Sequence, residues 1–171
     1  SMLRFAFCLL YLGALGLLCF PFGRLLARYP YNPKRIPFRT YAFERDGAFY
    51  NDVFHIRHWQ ARVPDVSRWA PQIVPKKQLS PHLTAPQLRL MVNETCVAEL
   101  THLLLCLAAF ALPAIWPGWG GWLVCAVDIL LGNLPFIFIQ RYQRPRLLRM
   151  LSKLERRERN LNHESADPEL Q

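Results

Sequence analysis

Apolar residues along this chain come in three long blocks separated by polar, basic stretches. The blocks cover residues 3–22, 97–116 and 119–139. Each is close to the roughly 20 residues that an α-helix needs to cross the hydrocarbon core of a bilayer. Soluble domains instead distribute their apolar residues with short helix or strand periods. The pattern therefore predicts an all-α membrane protein with three transmembrane helices and a membrane-surface cytoplasmic segment.

The first block has an alternative interpretation as a cleaved signal peptide, because Arg4 precedes the apolar run. The run is long for that purpose, and Pro21, Phe22 and Arg24 stand where a cleavage site would need small residues. We therefore interpret residues 3–22 as a retained span.

The basic residues predict the orientation of the spans. The segment 23–91 contains 12 Lys and Arg, the tail 140–171 contains 8, and the turn 117–121 contains none. Lysine and arginine concentrate in the cytoplasmic loops of membrane proteins. We therefore expect one integral membrane domain over 1–171, with a cytoplasmic segment at 23–91, a basic helical tail at 140–171 and the amino terminus outside.

The polar part of the cytoplasmic segment, residues 29–86, is rich in proline and aromatic residues and has few residues for a core of its own. We expect short strands or helices that lie on the membrane surface and cap the helix bundle. After Arg146 the pattern predicts a charged helix to about Asn160, followed by ten disordered residues.

The charge balance narrows the choice of partners. Lys and Arg number 21 against 12 Asp and Glu, a formal charge of +9, which favours anionic lipid or acidic substrates. Nucleic acid is not expected, because the basic residues flank apolar spans instead of forming one stripe. The five cysteines form no CxxC or Cys/His pattern, so we interpret them as packing residues and predict no metal site. The oligomeric state stays open.

The most informative polar residues are Glu94, Glu99 and His102, where the second helix enters the hydrocarbon region. An ionisable side chain there is costly unless it faces the bundle interior or a wet cavity. Glu99 and His102 are three residues apart and share a helix face. We expect Glu99 to orient His102 as a general base toward a hydroxyl group, with Glu94 completing the polar pocket. The alternative is an ion-pair cluster that only locks helices together.

The partner residues lie at the end of the third block. The second and third helices are antiparallel, so Gln140 and Arg141 should reach the level of Glu94 and Glu99. Arginine in such a place suits a phosphate, a carboxylate or a developing oxyanion. We therefore predict that Arg141 binds an anionic or carbonyl group.

Other polar residues allow two interpretations each. Asn133 with Pro135 fits either a kink or a substrate contact. Asp128, nearer the middle of its span, is either a bundle contact or a pathway residue. Glu44 and His58 form either a catalytic pair or metal ligands, although their spacing matches no zinc pattern.

Three stretches resemble one family, the glycosyl-4,4'-diaponeurosporenoate acyltransferases of bacterial carotenoid biosynthesis. They are Phe43 to Asp65 (FERDGAFYNDVFHIRHWQARVPD), Glu94 to His102 (ETCVAELTH) and Asn133 to Arg146 (NLPFIFIQRYQRPR). The resemblance implies a multi-pass enzyme of the bacterial cytoplasmic (inner) membrane. Its reaction would move a fatty acyl chain from an acyl thioester, acyl-CoA or acyl carrier protein, onto a hydroxyl group of a glycosylated lipid.

The resemblance and the residue types together predict the site. The expected catalytic residues are His102, Glu99, Glu94 and Arg141. The expected substrate-binding residues are Glu44, Tyr50, Trp59, Asn133, Gln140, Tyr142 and Arg144. Gly47, Pro64 and Pro145 also match family positions.

Two other functions remain alternatives. One is a metal-dependent lipid-modifying membrane enzyme with Glu94, Glu99 and His102, together with His58, as oxygen and nitrogen ligands. The other is a non-enzymatic membrane subunit whose polar residues hold helices together.

Overall fold

The computed structural model describes residues 1–63 and 83–166, and within these ranges the chain is helical without any strand. Three helical stretches are long and apolar enough to cross a membrane: Met2–Leu26, Ala85–Ile115 and Trp119–His163. The predicted all-α membrane fold is therefore confirmed.

The first long helix, α1, spans Met2–Leu26 and contains Pro21 in its last turns. Only Cys8 and Gly23 are buried, while most apolar side chains of α1 are exposed. A soluble protein rarely leaves so large an apolar surface uncovered, whereas lipid covers it without cost. The helix therefore fits a span that faces lipid over most of its circumference.

The described part of the segment 23–91 that follows α1 folds into short helices. They are a 3₁₀ turn at Ala42–Gly47, α2 at Ala48–Phe54, α3 at Ile56–Trp59 and a second 3₁₀ turn at Gln60–Arg62. Of the two options that the sequence allowed, strands or helices, helices are observed in this part. Tyr50 and Ile56 pack against Ile139 and Tyr142 of the last long helix, so these short elements cap one end of the bundle. Pro64 and Asp65 lie outside the described residues.

The second long helix, α4, spans Ala85–Ala109, and a short helix α5 follows at Leu112–Ile115. Helix α4 begins well before the apolar block at 97–116. Thr84 accepts a hydrogen bond from the Gln87 backbone N–H, and the Gln87 side chain accepts one from the Thr84 backbone N–H. This capping box satisfies otherwise unpaired donors and starts the helix in polar sequence.

The third long stretch is continuous from the third apolar block into the basic tail. Helix α6 spans Trp119–Val127, a π-helical turn covers Asp128–Asn133, and α7 spans Leu134–Ala166. Helix α7 passes the predicted end at Asn160, because residues 161–166 include no glycine or proline that would stop it. The part of the predicted disordered end that is described, up to Ala166, is thus helical.

Apolar clusters lie at the two ends of the bundle. Cys8, Ala109, Leu112 and Cys125 pack together at one end, as expected for cysteines that act as packing residues. At the other end, Leu88, Met91 and Val92 of α4 pack against Leu147 of α7. Glu94, Glu99 and His102 of α4 lie between these clusters along the helix.

Candidate active site

Arg141 on α7 uses all five of its N–H groups within the protein. Its Nε and Nη2 donate to the two oxygens of Glu44 at 2.5 and 2.9 Å, and Nη1 donates to Glu99 at 2.6 Å. The remaining two N–H groups donate to the carbonyl oxygens of Pro37 and Arg39 at 3.0 and 2.8 Å. A guanidinium has five donors, so none is left for a substrate in this arrangement. We therefore interpret Arg141 as part of the framework.

Arg144 lies one helical turn further along α7 and is almost fully buried, with 2% of its surface exposed. It donates to the hydroxyl and carbonyl oxygens of Thr95 at 2.9 and 3.1 Å and to the Phe38 carbonyl at 2.8 Å. Its Nη2 also donates to Glu99 at 2.5 Å. Glu99 therefore bridges the two arginines, with one carboxylate oxygen on each.

These contacts form a buried network of two arginines and two glutamates, Arg141, Arg144, Glu44 and Glu99. Formal charges cancel within it. Buried charges are tolerated only when they are paired and hydrogen bonded, and both conditions are met here. The network joins α4, α7 and the 3₁₀ turn at Ala42–Gly47.

Glu44 is held from three sides. Besides Arg141, the Tyr50 hydroxyl donates to it at 2.6 Å and the Tyr41 backbone N–H at 2.5 Å. Burial alone would raise the pKa of this carboxyl, but the hydrogen bonds from Arg141, Tyr41 and Tyr50 outweigh burial and hold the pKa below its ordinary value. Burial and the contact with Glu44 raise the pKa of the Tyr50 hydroxyl. At neutral pH Glu44 is therefore a carboxylate and Tyr50 a neutral donor.

The turn after Glu44 has an unusual backbone. Arg45, Asp46 and Gly47 all lie in the left-handed region, with φ of 47°, 55° and 88°. A Cβ atom at Gly47 would lie 3.0 Å from the carbonyl oxygen of Tyr142. Glycine is required here both for its φ and for the close approach to α7. This approach brings Glu44 within reach of α7.

Glu94 has a different partner from the one expected. Both of its oxygens accept from Arg24 of α1, at 3.1 and 2.8 Å. Glu94 and Glu99 are five positions apart, which separates them by roughly 140° around an α-helix. The two carboxylates of α4 therefore face different neighbours, Glu94 toward α1 and Glu99 toward α7.

His102 is held by the third long stretch. Its Nδ1 lies 2.9 Å from Oδ1 of Asn133, and its ring stacks on Phe136 with 4.7 Å between centroids. Sequence reasoning expected Glu99 to orient this ring. Both oxygens of Glu99 are instead engaged by arginines, whose charge-assisted hydrogen bonds are the stronger ones. Asn133 therefore makes the orienting contact at Nδ1.

The contact fixes which nitrogen can act as a base. The Nδ2 group of Asn133 donates to the backbone oxygen and to Oδ2 of Asp128, both at 3.1 Å. The amide oxygen must then face His102, so Nδ1 of a neutral His102 carries the proton. In that tautomer the lone pair lies on Nε2.

Three residues predicted to bind substrate lie in or beside the helix packing. Tyr142 is buried beside Ile56 and Ile139, and Trp59 packs against the same cluster. The indole N–H of Trp59 donates to the Phe54 carbonyl at 2.7 Å. Gln140 is also buried. Tyr142 and Trp59 therefore belong to the packing between the short helices and α7.

Glu44 and His58 are not a pair. His58 is exposed, and its ring lies 6.1 Å from that of His55. Among the described residues no three His, Cys, Asp or Glu side chains are grouped so that they could hold a metal ion. The ligand set of the metal-enzyme alternative is therefore not brought together.

A groove of about 620 Å³ opens where α1 ends, α4 begins and α7 continues into the basic tail. Its walls are mostly apolar, and Arg28 and Arg89 contribute positive charge. The lining residues are Ala27, Arg28, Tyr29, Pro30, Tyr31, Pro33, Arg89, Leu90, Val92, Asn93, Leu148 and Leu151. The sequence pattern does not reveal this groove, because its three walls are far apart in the chain.

Asn93 fixes one wall of the groove. Its Oδ1 accepts from the Tyr31 backbone N–H at 2.9 Å, and its Nδ2 donates to the Tyr29 carbonyl at 3.3 Å. One turn earlier on α4, Arg89 donates to Glu155 of α7 at 2.6 Å. These contacts join α4 to the two other walls of the groove.

Fold and site together define an all-helical membrane protein with a buried arginine–glutamate network and a histidine oriented by an asparagine. The family model of the glycosyl-4,4'-diaponeurosporenoate acyltransferases (CrtO) matches residues 33–153. Proteins of that name from Staphylococcus aureus strains RF122 / ET3-1, N315 and USA300 are each 32% identical over 130 residues, 74% of this chain and 75% of theirs. The chain belongs to this acyltransferase family. No solved structure matches it.

Proposed function

We propose that this protein transfers a fatty acyl group from an acyl thioester to a hydroxyl group of a glycosylated lipid. The observation that supports the proposal most is the orientation of His102 by Asn133, which leaves Nε2 as the proton acceptor. The names of the relatives support the reaction class and a glycosylated acceptor. The site lies within a bundle whose long helices are apolar enough for a membrane, where a lipid substrate is at hand.

His102 would act as general base. Its Nε2 takes the proton of the acceptor hydroxyl as that oxygen attacks the thioester carbonyl. The tetrahedral intermediate then expels the thiolate, which recovers the proton from the imidazolium. The products are an ester and a free thiol. Arg141 and Arg144 hold α4, α7 and the cytoplasmic segment in register around this histidine, while Glu94 and Arg24 fix α1.

We place the site at the cytoplasmic side of a bacterial inner membrane, with the amino terminus outside and the carboxyl terminus in the cytoplasm. The support is the distribution of Lys and Arg, which are frequent in 23–91 and 140–171 and absent from 117–121. Acyl-CoA and acyl carrier protein are cytoplasmic donors, so this orientation brings donor and site together.

The groove beside Arg28 and Arg89 suits the phosphate groups of such a donor. We expect Arg28→Ser to raise KM for acyl-CoA roughly 10-fold with kcat nearly unchanged, since it removes a charge-assisted contact made before and during the reaction, whereas Arg89 already donates to Glu155. Arg57→Ser, on the exposed side of α3, is the control and should change neither constant. A fall in kcat at constant KM would contradict this placement of the donor.

The proposal is tested with purified protein in phospholipid vesicles, radiolabelled acyl-CoA or acyl carrier protein, and a panel of acceptors. We expect label on a glycolipid with free sugar hydroxyls and none on the same lipid with its hydroxyls blocked. Equal labelling of lipids without sugar would overturn the acceptor class. A folded protein that transfers no acyl group and co-purifies with a larger partner would favour the non-enzymatic subunit.

A further inference from the structure

The π-helical turn at Asp128–Asn133 brings two polar side chains together inside a span. In a plain α-helix, residues five apart point about 140° away from each other. A π-helical turn bonds residue i to residue i+5 and so places them in register. Asp128 and Asn133 are five apart, and their side chains meet at 3.1 Å. Pro135, which has no N–H to donate, lies two residues after the end of the turn.

The chain also leaves room for the carboxylate of Asp128. A Cβ atom at Gly132 would lie 3.2 Å from Oδ1 of Asp128, closer than ordinary van der Waals contact. Glycine at this position therefore allows the carboxylate to turn toward Asn133. An acidic residue within a span is costly and usually has a functional partner. Here the partner is the Asn133 amide.

The three residues form a chain of hydrogen bonds that ends at the imidazole. Asp128 accepts from Asn133 through its carboxylate and its backbone carbonyl, and Asn133 presents its oxygen to Nδ1 of His102. If the amide were turned around, its oxygen would face two acceptors of Asp128. If the carboxylate were missing, one amide N–H would lack this partner inside the bundle, which disfavours the observed orientation.

We propose that Asp128 is a positioning residue that acts through Asn133 on His102. Its role is to accept the second amide N–H of Asn133, so that Nδ1 of His102 stays protonated and Nε2 stays the base. The consequence for turnover rests on the proposed function of His102, whereas the hydrogen-bond relay does not depend on it.

The direct test is the tautomer of His102, measured by ¹⁵N NMR of histidine-labelled protein in lipid nanodiscs, with His102→Ala used for assignment. We expect the Nδ1–H tautomer in the wild type and in Asp128→Asn, which retains an acceptor oxygen. Asp128→Ala should show a mixture of tautomers. Leu131→Ala is the matched control, because Leu131 lies in the same turn with 71% of its surface exposed.

Turnover supplies the second readout. Asp128→Ala should lower kcat about 10-fold with KM unchanged, the loss of one orienting hydrogen bond, and Asp128→Asn should keep most of the rate. An Nε2–H tautomer in the wild type or in Asp128→Asn would overturn the relay, even if the alanine variant did not fold. The proposal also fails if Asp128→Ala behaves like the wild type. A third outcome is possible, in which the tautomers are as expected but His102→Ala retains full turnover. That outcome would overturn the proposed function and still support the hydrogen-bond relay.

Discussion

Replacing Glu99 with glutamine is expected to lower the free energy of unfolding by about 3–5 kcal/mol, the cost of removing one partner from a buried ion pair. Glu99 is 2% exposed and places one carboxylate oxygen on Arg141 and the other on Arg144. Glutamine keeps the shape but loses the charge, and its amide group turns N–H donors toward one of the arginines. Arg144 then has no carboxylate among its contacts.

The loss is measured as a shift in the denaturation midpoint of detergent-solubilised protein, followed by the fluorescence of its tryptophans. Asp52→Asn is the matched control, because Asp52 pairs with Arg45 at 2.8 Å but 53% of its side-chain surface is exposed. An exposed pair of this kind contributes at most about 1 kcal/mol. Equal shifts for the two variants would mean that the buried network does not hold the bundle together.

The fold could be predicted because a membrane restricts what an apolar block can do. A block of some 20 apolar residues satisfies its backbone in lipid only as a helix. The ends of the helices depend instead on capping and on helix propensity. Helix α4 begins at Ala85 because Thr84 and Gln87 cap it, and α7 runs on to Ala166 in polar sequence that favours helix. A hydropathy pattern detects neither capping nor helix propensity.

The residues that lie at the site could be predicted from the sequence, but the contacts between them mostly could not. The depth of a residue in the membrane follows from the number of residues between it and the end of its span. Arg141 was expected opposite Glu99 for this reason. The direction around the helix is harder, since each residue turns the next side chain by about 100° and neighbours compete for each carboxylate. Arg24 was used only as evidence against signal-peptide cleavage and as one of the basic residues that indicate orientation, yet it donates to both oxygens of Glu94.

The π-helical turn adds a further shift that the sequence pattern does not reveal. One extra residue in a turn rotates everything before it relative to everything after it by about 100°. That rotation brings Asp128 onto the same side as Asn133, and Asn133 onto His102. Asn133 with Pro135 had suggested a kink or a substrate contact. The structure shows a wide turn in which the Asn133 amide serves the histidine.

The residues expected to be catalytic thus separate into two groups. Glu94, Glu99 and Arg141 are bound to one another or to Arg24, in the way that the ion-pair alternative described. His102 contacts Asn133 and Phe136 of the third long stretch. A framework residue should change stability when replaced, whereas a base should change the rate.

His102→Ala is accordingly expected to lower kcat by about 100- to 10,000-fold, the usual contribution of a general base, while KM for the acyl donor stays near the wild-type value. The measurement is the initial rate of acyl transfer in vesicles at saturating acceptor. His58→Ala, which removes an exposed histidine, should keep the full rate. The denaturation midpoint of His102→Ala should lie close to the wild type, since the side chain is only half-buried.

Combining this change with Asn133→Ala sharpens the test. When residues act as one unit, the effects of replacing them on the rate are not additive. Asn133→Ala alone should reduce kcat by releasing the ring of His102, and the double variant should be no slower than His102→Ala. If the kcat reductions of the two single variants multiplied in the double variant, Asn133 would contribute to the reaction through a contact other than His102. Full turnover in folded His102→Ala would remove the general base from the mechanism, and the hydroxyl proton would then have to leave by a route that bypasses His102.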